Sequence, residues 1–511
     1  MDKLFLLWGA VLFCAVSCVP GHPGNASSFG HCAEVYPDYA NSPIPWNIAP
    51  LNFSIRDEGD GFAAAAYSRK GEKLWATGRD VRWDRKGWRQ LLDTNRGDTL
   101  YTVVYVQKDG QWYSHPAIKN YIAPEGIDPY ISYRLIEPSY VVYEQMAIHQ
   151  RNLTNFEEKV IYSSVPLSDR EDGQCINCHA YQDYNRTGRM QFHVRQHKGG
   201  TVIVTPEGTK KVDLRTDRTI SAGVYPAWHP TRDLIAYSVN NTEQHFHQRG
   251  KEKVEVIDSR SDLVLYDVGT NQLRAVACTP DQLETFPAWS PDGSSLYFAS
   301  AGYPAGTGPR DSLILRYKEF RYNICRKAFD PQTMGFGPAE TVFDAAARQR
   351  SATLPRISPD GNFLLFTLGD YGNFHIWHKS SDLWAVDLRT GAAFALAEAN
   401  SPDADSYHSW SSNGRWIIFS SRRDDGSYTR LYIAYFRDGK AFRPFILPRE
   451  DPRSYAGLFK SFNVPEFMAA PVDVPLNRLV RAVDRQPERV TYVGAASDGA
   501  LEKAATGNFY E

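Results

Sequence analysis

Phe286-Pro287-Ala288-Trp289-Ser290-Pro291-Asp292-Gly293, followed by Leu296-Tyr297-Phe298-Ala299, is the stretch on which the fold turns. An apolar strand enters, Ser-Pro-Asp-Gly reverses the chain, and a short hydrophobic strand returns. Asp-Gly suits the reversal because it tolerates positive φ. The pattern recurs three times. Tyr225-Pro226-Ala227-Trp228-His229-Pro230 precedes Leu234 to Tyr237. Leu354-Pro355-Arg356-Ile357-Ser358-Pro359-Asp360-Gly361 precedes Phe363 to Phe366. Tyr407-His408-Ser409-Trp410-Ser411-Ser412-Asn413-Gly414 precedes Trp416 to Phe419. Trp228, Trp289, Ile357 and Trp410 mark periods of 61, 68 and 53 residues. A second strand follows each return, as at Leu263 to Val268, Leu383 to Leu388 and Leu431 to Phe436. One such sheet cannot bury both faces alone, whereas copies packed around an axis can. The reading is a β-propeller of five or six blades over 198–467. Thr201 to Val204 and Lys211 to Leu214 belong to a further blade, Phe462 to Phe467 closes the ring, and Asn240 to Asp258 is an insertion.

Composition agrees. The 511 residues include 12 Trp, 29 Tyr, 26 Phe, 37 Gly and 31 Pro, the signature of short strands and tight turns. With 42 % hydrophobic residues the bulk is folded. Lys and Arg number 57 against 59 Asp and Glu, net −2, which argues against a nucleic-acid partner. Seven cysteines are too few for a disulfide scaffold. The fold class is all-β.

Outside the propeller, residues 45–150 alternate apolar and polar runs between turns and carry Trp75, Trp83, Trp88 and Trp112 at core-anchor spacing. This reads as an N-terminal β-sandwich-like domain. Residues 151–197 are a connector, and 468–511 a loose tail or one short helix. At the N-terminus, Leu4 to Val16 has the length of a signal-peptide core and is too short to span a bilayer. Ala15-Val16-Ser17-Cys18 resembles a bacterial lipobox, with Ala15 where Leu is usual. Residues 1–18 are therefore read as a signal peptide with Cys18 lipidated; the alternative is plain signal-peptidase cleavage. The mature chain is expected in the periplasm or cell envelope, held to the membrane through its lipid only. Cys278 and Cys325 could pair there, or be small buried hydrophobes.

The connector holds the one sharp chemical motif, Cys175-Ile176-Asn177-Cys178-His179. C-x-x-C-H is the attachment signature of haem c: two thiolates reach the two vinyl groups of a porphyrin, and the next histidine supplies a nitrogen to iron. A thioredoxin-like pair would need a βαβ context, absent here. Zinc is the alternative, since Cys175, Cys178, His193 and His197 give C-x2-C-x14-H-x3-H, two residues long for Cys2His2, with no role for His179. For the sixth iron ligand His193 ranks first, Met190 (one of five methionines) second and His197 third. Met190 and His193 face opposite sides of an extended segment. Each also has an ordinary reading, as a core methionine or a surface histidine. Phe192 and Tyr181 could pack on the porphyrin, and Arg189 and Arg195 could pair with its propionates.

The four repeats resemble those of TolB-like propellers. The order of lipoprotein signal, sandwich, Asp128-Pro129-Tyr130 with Tyr133 to Pro138, Cys175 to His179, Met190 to His193, Gly199-Gly200-Thr201 and propeller is similar to an envelope family whose members are labelled TolB-like, cytochrome c or cytochrome c biosynthesis proteins. The resemblance implies haem binding, an envelope location and a partner protein at one propeller face. No G-x-S-x-G elbow, P-loop, G-x-G-x-x-G or H-E-x-x-H is present, so no hydrolase or nucleotide enzyme is expected. The expected function is electron transfer or haem-linked sensing by an anchored lipoprotein. The alternative is a non-redox protein-interaction scaffold whose C-x-x-C-H region is structural or binds zinc; glycan binding by rim aromatics is a third. Candidate rim segments are Glu243 to Arg249 with His245 and His247, Asp370 to His378, and Arg422-Arg423-Asp424, which equally read as inter-blade wedges.

Overall fold

The computed structural model describes residues 23–137, 146–167, 173–247, 252–306 and 313–494. The signal and lipobox readings, with Cys18, lie outside them. The described residues form an all-β chain whose larger part is a propeller of six blades. Each of five blades is a run of consecutive antiparallel strands, starting from the innermost strands Gln174–Tyr181, Gly223–Trp228, Gln282–Trp289, Ser351–Ile357 and Asp405–Trp410. The sixth closes the ring. Its outer strands Tyr130–Ile136, Ala147–Asn152 and Glu158–Ser163 come from before the motif, and its innermost strand, Ser461–Met468, comes from the far end of the propeller and pairs antiparallel with Tyr130–Ile136.

The quoted repeat explains the blade. Ser290 N–H donates to the Ser295 carbonyl (2.9 Å), Gly293 N–H to the Ser290 carbonyl (2.9 Å), and Asp292 Oδ1 accepts from Ser294 N–H (3.0 Å). Ser358 and Ser411 open the same turn two and three blades on from His229. In the first copy His229 replaces serine, and its Nδ1 accepts the Thr231 and Arg232 N–H groups (3.2 and 3.1 Å). The tryptophans wedge blades together: Trp289 Nε1 donates to the Ala227 carbonyl and Trp410 Nε1 to the Arg356 carbonyl, each at 3.1 Å.

Three expected boundaries move. The stretch read as a connector, 151–197, is propeller: Glu158–Ser163 lies in the closing blade, while Gln174–Tyr181 and Met190–Gln196 are the inner two strands of the next. Tyr130–Ile136 and Ala147–Asn152, read as sandwich, also belong to the closing blade, because edge pairing with Ser461–Met468 completes the ring. The described part of the tail is a strap. Its helix Leu476–Asp484 buries Leu479, Ala482 and Val483, and Glu488–Arg489 and Thr491–Tyr492 add parallel outer strands to two neighbouring blades.

The N-terminal domain has a seven-stranded sheet built on Gly61–Tyr67, Thr99–Lys108 and Ile118–Ala123, and a three-stranded sheet of Val35–Tyr36, Phe53–Ile55 and Asp80–Val81. A helix, Arg85–Thr94, is capped by the Asp84 carboxylate accepting Gly87 N–H at 2.7 Å. Trp83 and Trp88 are buried and stacked; Trp75 and Trp112 are half-buried. This domain shares a continuous core with the blade that starts at Asp405–Trp410 and with the closing blade. Asp128 accepts from Ser412 N–H and Oγ (both 2.6 Å), and Trp416 Nε1 donates to the Gly126 carbonyl at 3.0 Å.

Candidate functional site

Cys175 to His179 lies on an innermost strand, facing the propeller axis. Between Asn177 and Ala180 the pairing with the next strand shifts register, and Cys178 takes φ 53°. Every blade has this bulge. Tyr225, Phe286, Leu354, Tyr407 and Val464 also have positive φ at the register shift of their inner strands. Four of these are followed by proline and one by His408. Cys178-His179 thus stands where other blades place Tyr225-Pro226 or Phe286-Pro287. A bulge turns side chains that strict alternation would separate toward one side. Here it presents Cys175, Asn177, Cys178 and His179 to a single axial cavity of about 660 Å³, lined by residues of all six blades.

His179 is 2 % exposed, and its Nε2 is buried without a hydrogen-bond partner. Burial, reinforced by the Arg134 guanidinium, pushes it down to about 3, so the ring is neutral and keeps a lone pair across the physiological range. Both motif thiols are free. Cys175 Sγ lies 3.6 Å from Met146 Sδ, and burial pushes its thiol up. The Gln191 side-chain amide donates to the Cys178 carbonyl and holds the bulge.

The three ranked ligand candidates separate. His193 pairs with Asn177 across the ladder, lines the cavity and shares a hydrogen bond between Nδ1 and Thr201 Oγ1 (3.1 Å). Burial, with Arg195 and Arg215 nearby, pushes it down to about 3. Met190 lies on the opposite face, 1 % exposed, in the apolar cluster with Ile176 and Phe192, and does not line the cavity. His197 is half-buried off the cavity, where its backbone N–H donates to the Gly173 carbonyl (3.2 Å). The segment that carries Met190 and His193 does not wrap over His179, because Met190–Gln196 is its ladder neighbour. Nor do the four zinc candidates converge: among the described residues Cys175, Cys178, His193 and His197 bring no three ligand atoms within 4.8 Å of one another. Phe192 stacks on Tyr162 in the core, and Arg189 pairs with Asp233 at 2.6 Å; only Arg195 of the two arginines reaches the cavity.

Sequence reasoning missed the adjoining wall, which the closing blade supplies. Glu466, one residue beyond the Val464-Pro465 bulge, is pushed up to about 7 by burial against the pull of Arg356. Arg134, Arg215 and Arg356 also line the space. The recurring aromatic-or-apolar residue before proline is the signal that would have found this wall.

The rim candidates resolve mainly as wedges. Residues 248 and 249 of the first lie outside the described part. In the second, His378 Nε2 is 3.1 Å from Glu255 Oε1, Tyr371 Oη donates to Glu255 Oε2 (3.1 Å), and Asn373 Nδ2 donates to Asp258 Oδ2 (2.6 Å), which joins two blades. Arg422 lies 3.7 Å over the Trp377 ring, and Trp377 itself reaches the cavity. Cys278 and Cys325 do not form a disulfide with each other; Cys278 Sγ donates to the Leu263 carbonyl at 3.7 Å.

No family model matches the chain, and no curated protein matches it. Among solved structures it is similar to a luciferin-regenerating enzyme (11% identity, 62% of this chain and 91% of that one, TM-score 0.37). It is also similar to an oligogalacturonate lyase in complex with manganese (13%, 75% and 99%, 0.30). A third is the β-propeller domain of the Trilobed protease from Pyrococcus furiosus (12%, 74% and 97%, 0.31).

Proposed function

We propose that the chain is an exported haem c protein acting in electron transfer or haem-linked sensing, with the porphyrin held in the axial cavity. The observation that carries this reading is that Cys175, Cys178 and His179 line one cavity while His179 Nε2 is buried, neutral and unpartnered. An orphaned buried nitrogen beside two free thiols fits the donor set that haem c requires. Cys175 and Cys178 would hold the vinyl carbons as thioethers, His179 would hold the iron, and His193 would be the first choice for a further iron ligand. Arg134, Arg195 and Arg215 supply positive charge for the propionates. When bound, haem c supplies a one-electron iron couple. The six-bladed wall excludes bulk water from His179 and keeps its imidazole unprotonated. The N-terminal stretch to Cys18 supports export and lipid anchoring, and an outer propeller face would dock an envelope protein.

One observation favours a second reading, an interaction scaffold without haem. Cys178-His179 occupies the bulge that every other blade also has, so these residues already serve the fold. Expression with a haem-attachment system decides between them. The haem reading expects the α-band of a reduced pyridine haemochrome and a covalent haem mass on the chain, both lost in Cys175→Ala/Cys178→Ala. An intact, folded chain with neither signal leaves the scaffold.

A further inference from the structure

We propose that His31, Asp57 and His115 form a binding site for a zinc-class divalent cation in the N-terminal domain, remote from the axial cavity. Three elements converge there. His31 follows the short strand Ser27–Ser28, which pairs in parallel with Tyr113–Ser114; His115 is the next residue of that second strand, and Asp57 follows Phe53–Ile55. His115 Nε2 lies 3.6 Å and His31 Nε2 4.0 Å from the same oxygen, Asp57 Oδ1, and all three ligand atoms fall within 4.8 Å of one another. The edge of a tetrahedron with bonds of 2.0–2.1 Å is about 3.3–3.4 Å. The two Asp57 distances exceed that edge by about 0.2–0.7 Å, and the histidine nitrogens, within 4.8 Å of each other, by at most about 1.5 Å, so side-chain rotations suffice to complete three ligand positions.

The hydrogen bonds orient these donors as a metal site requires. His115 Nδ1 is 3.1 Å from the His31 carbonyl, which can only accept, so Nδ1 carries a proton. That leaves Nε2 as the ring atom that faces Asp57 Oδ1. The His115 side chain is fully buried, and Nε2 has no hydrogen-bond partner. Asp57 is fixed from behind, with Oδ2 accepting Glu34 N–H at 2.9 Å, so Oδ1 points at the histidines. This is the outer-shell arrangement that holds metal ligands. Phe29 packs 4.7 Å from the His115 ring and 5.2 Å from the His31 ring, giving the site an apolar side. Two imidazoles and one carboxylate select a borderline transition ion over calcium or magnesium. The His31 side chain is 63% exposed, which leaves a way in and a solvent-facing fourth position. The bound ion would pin residues 27–34 to the domain.

The test uses the untagged full chain, stripped with chelator and titrated with Co(II) and with Zn(II). The expected result is one tight equivalent, a visible Co(II) d–d band, and a zinc-dependent rise in the melting temperature. His31→Ala and Asp57→Asn should each weaken binding by more than the 10–100-fold typical of outer-shell losses. His31 is exposed, so His31→Ala melts like the metal-free parent and serves as the folding control. Cys175→Ala/Cys178→Ala/His193→Ala should retain the equivalent. The proposal is overturned if no band and no zinc retention appear, if the band survives in His31→Ala, or if it disappears with the cavity variant; the last would place the metal at the propeller axis.

Discussion

Gly293 tests the account of the blade quantitatively. Its φ is +71°, and a Cβ added there would lie 2.4 Å from both Cε1 and Nε2 of His229, in the preceding blade. Gly361 holds the same turn position one blade later with φ +73°, but a Cβ there meets nothing within 4 Å. Alanine at either site incurs left-handed strain of about 1–2 kcal/mol. Only Gly293→Ala adds overpacking against a neighbouring blade, about 1–3 kcal/mol more. The expected loss is therefore about 2–5 kcal/mol for Gly293→Ala against about 1–2 for Gly361→Ala. Urea unfolding followed by tryptophan fluorescence compares them. The double variant Gly293→Ala/His229→Ala removes the ring, so its loss should fall short of the sum of the singles by the overpacking part. His229→Ala alone has its own cost, because His229 Nδ1 caps two turn N–H groups; the cycle subtracts it. Equal losses for the two glycines, with additive behaviour in the double variant, would refute blade contact at this turn.

Three further outcomes follow from particular groups. Glu466 is raised to about 7 in the folded chain from 4.5, so the folded state favours its protonated form. The stability of the parent relative to Glu466→Gln is present below pH 4.5 and is lost as pH rises through 7, by up to about 3 kcal/mol at 1.36 kcal/mol per unit; unfolding of both proteins at pH 5 and pH 8 measures it. Trp410→Phe removes the donor to the Arg356 carbonyl and should cost about 1–3 kcal/mol, with a matching loss for Trp289→Phe, read as urea midpoints. Deleting the strap from residue 472 onward exposes the surface under Leu479 and Val483 and strips Lys211 Nζ of the Val483 and Arg485 carbonyls at 2.7 and 2.9 Å. The expected loss is about 3–5 kcal/mol in urea unfolding, larger than for any single strap substitution.

The propeller was legible because its turns are local. Ser, Asp and Gly at fixed offsets bond to one another within six residues, so each turn is visible without the rest of the chain. The motif was legible for the same reason: five consecutive residues carry it. Of the blade that contains it, only the outer strands around Thr201 to Val204 and Lys211 to Leu214 were legible, because Cys178-His179 has neither the proline nor the Ser-Pro-Asp-Gly turn that marks other copies. Met190 and His193 were separated correctly to opposite faces by strand alternation. That His193 takes the cavity face and Met190 the core depended on which strand each would pair with. The histidine–aspartate cluster of residues 31, 57 and 115 left no trace, since its members are scattered along the chain.

From the amino-acid order alone came the all-β class, the repeated blade, the C-x-x-C-H motif and the balanced charge, each written in short-range patterns of turn residues, spacing or composition. Tertiary structure decided the rest. It set the count at six blades, because Tyr130–Ile136 pairs with Ser461–Met468 across more than three hundred residues of intervening chain. It made the presumed connector the inner two strands of one blade and an outer strand of the closing blade, and brought the tail across the first of these and its neighbour as a strap. It also turned the thiols and His179 toward one axial cavity, through a bulge whose recurrence appears only when six inner strands stand side by side. Strand partners distant in sequence are selected by buried surface and ladder hydrogen bonds, and neither is encoded in any local run of residues.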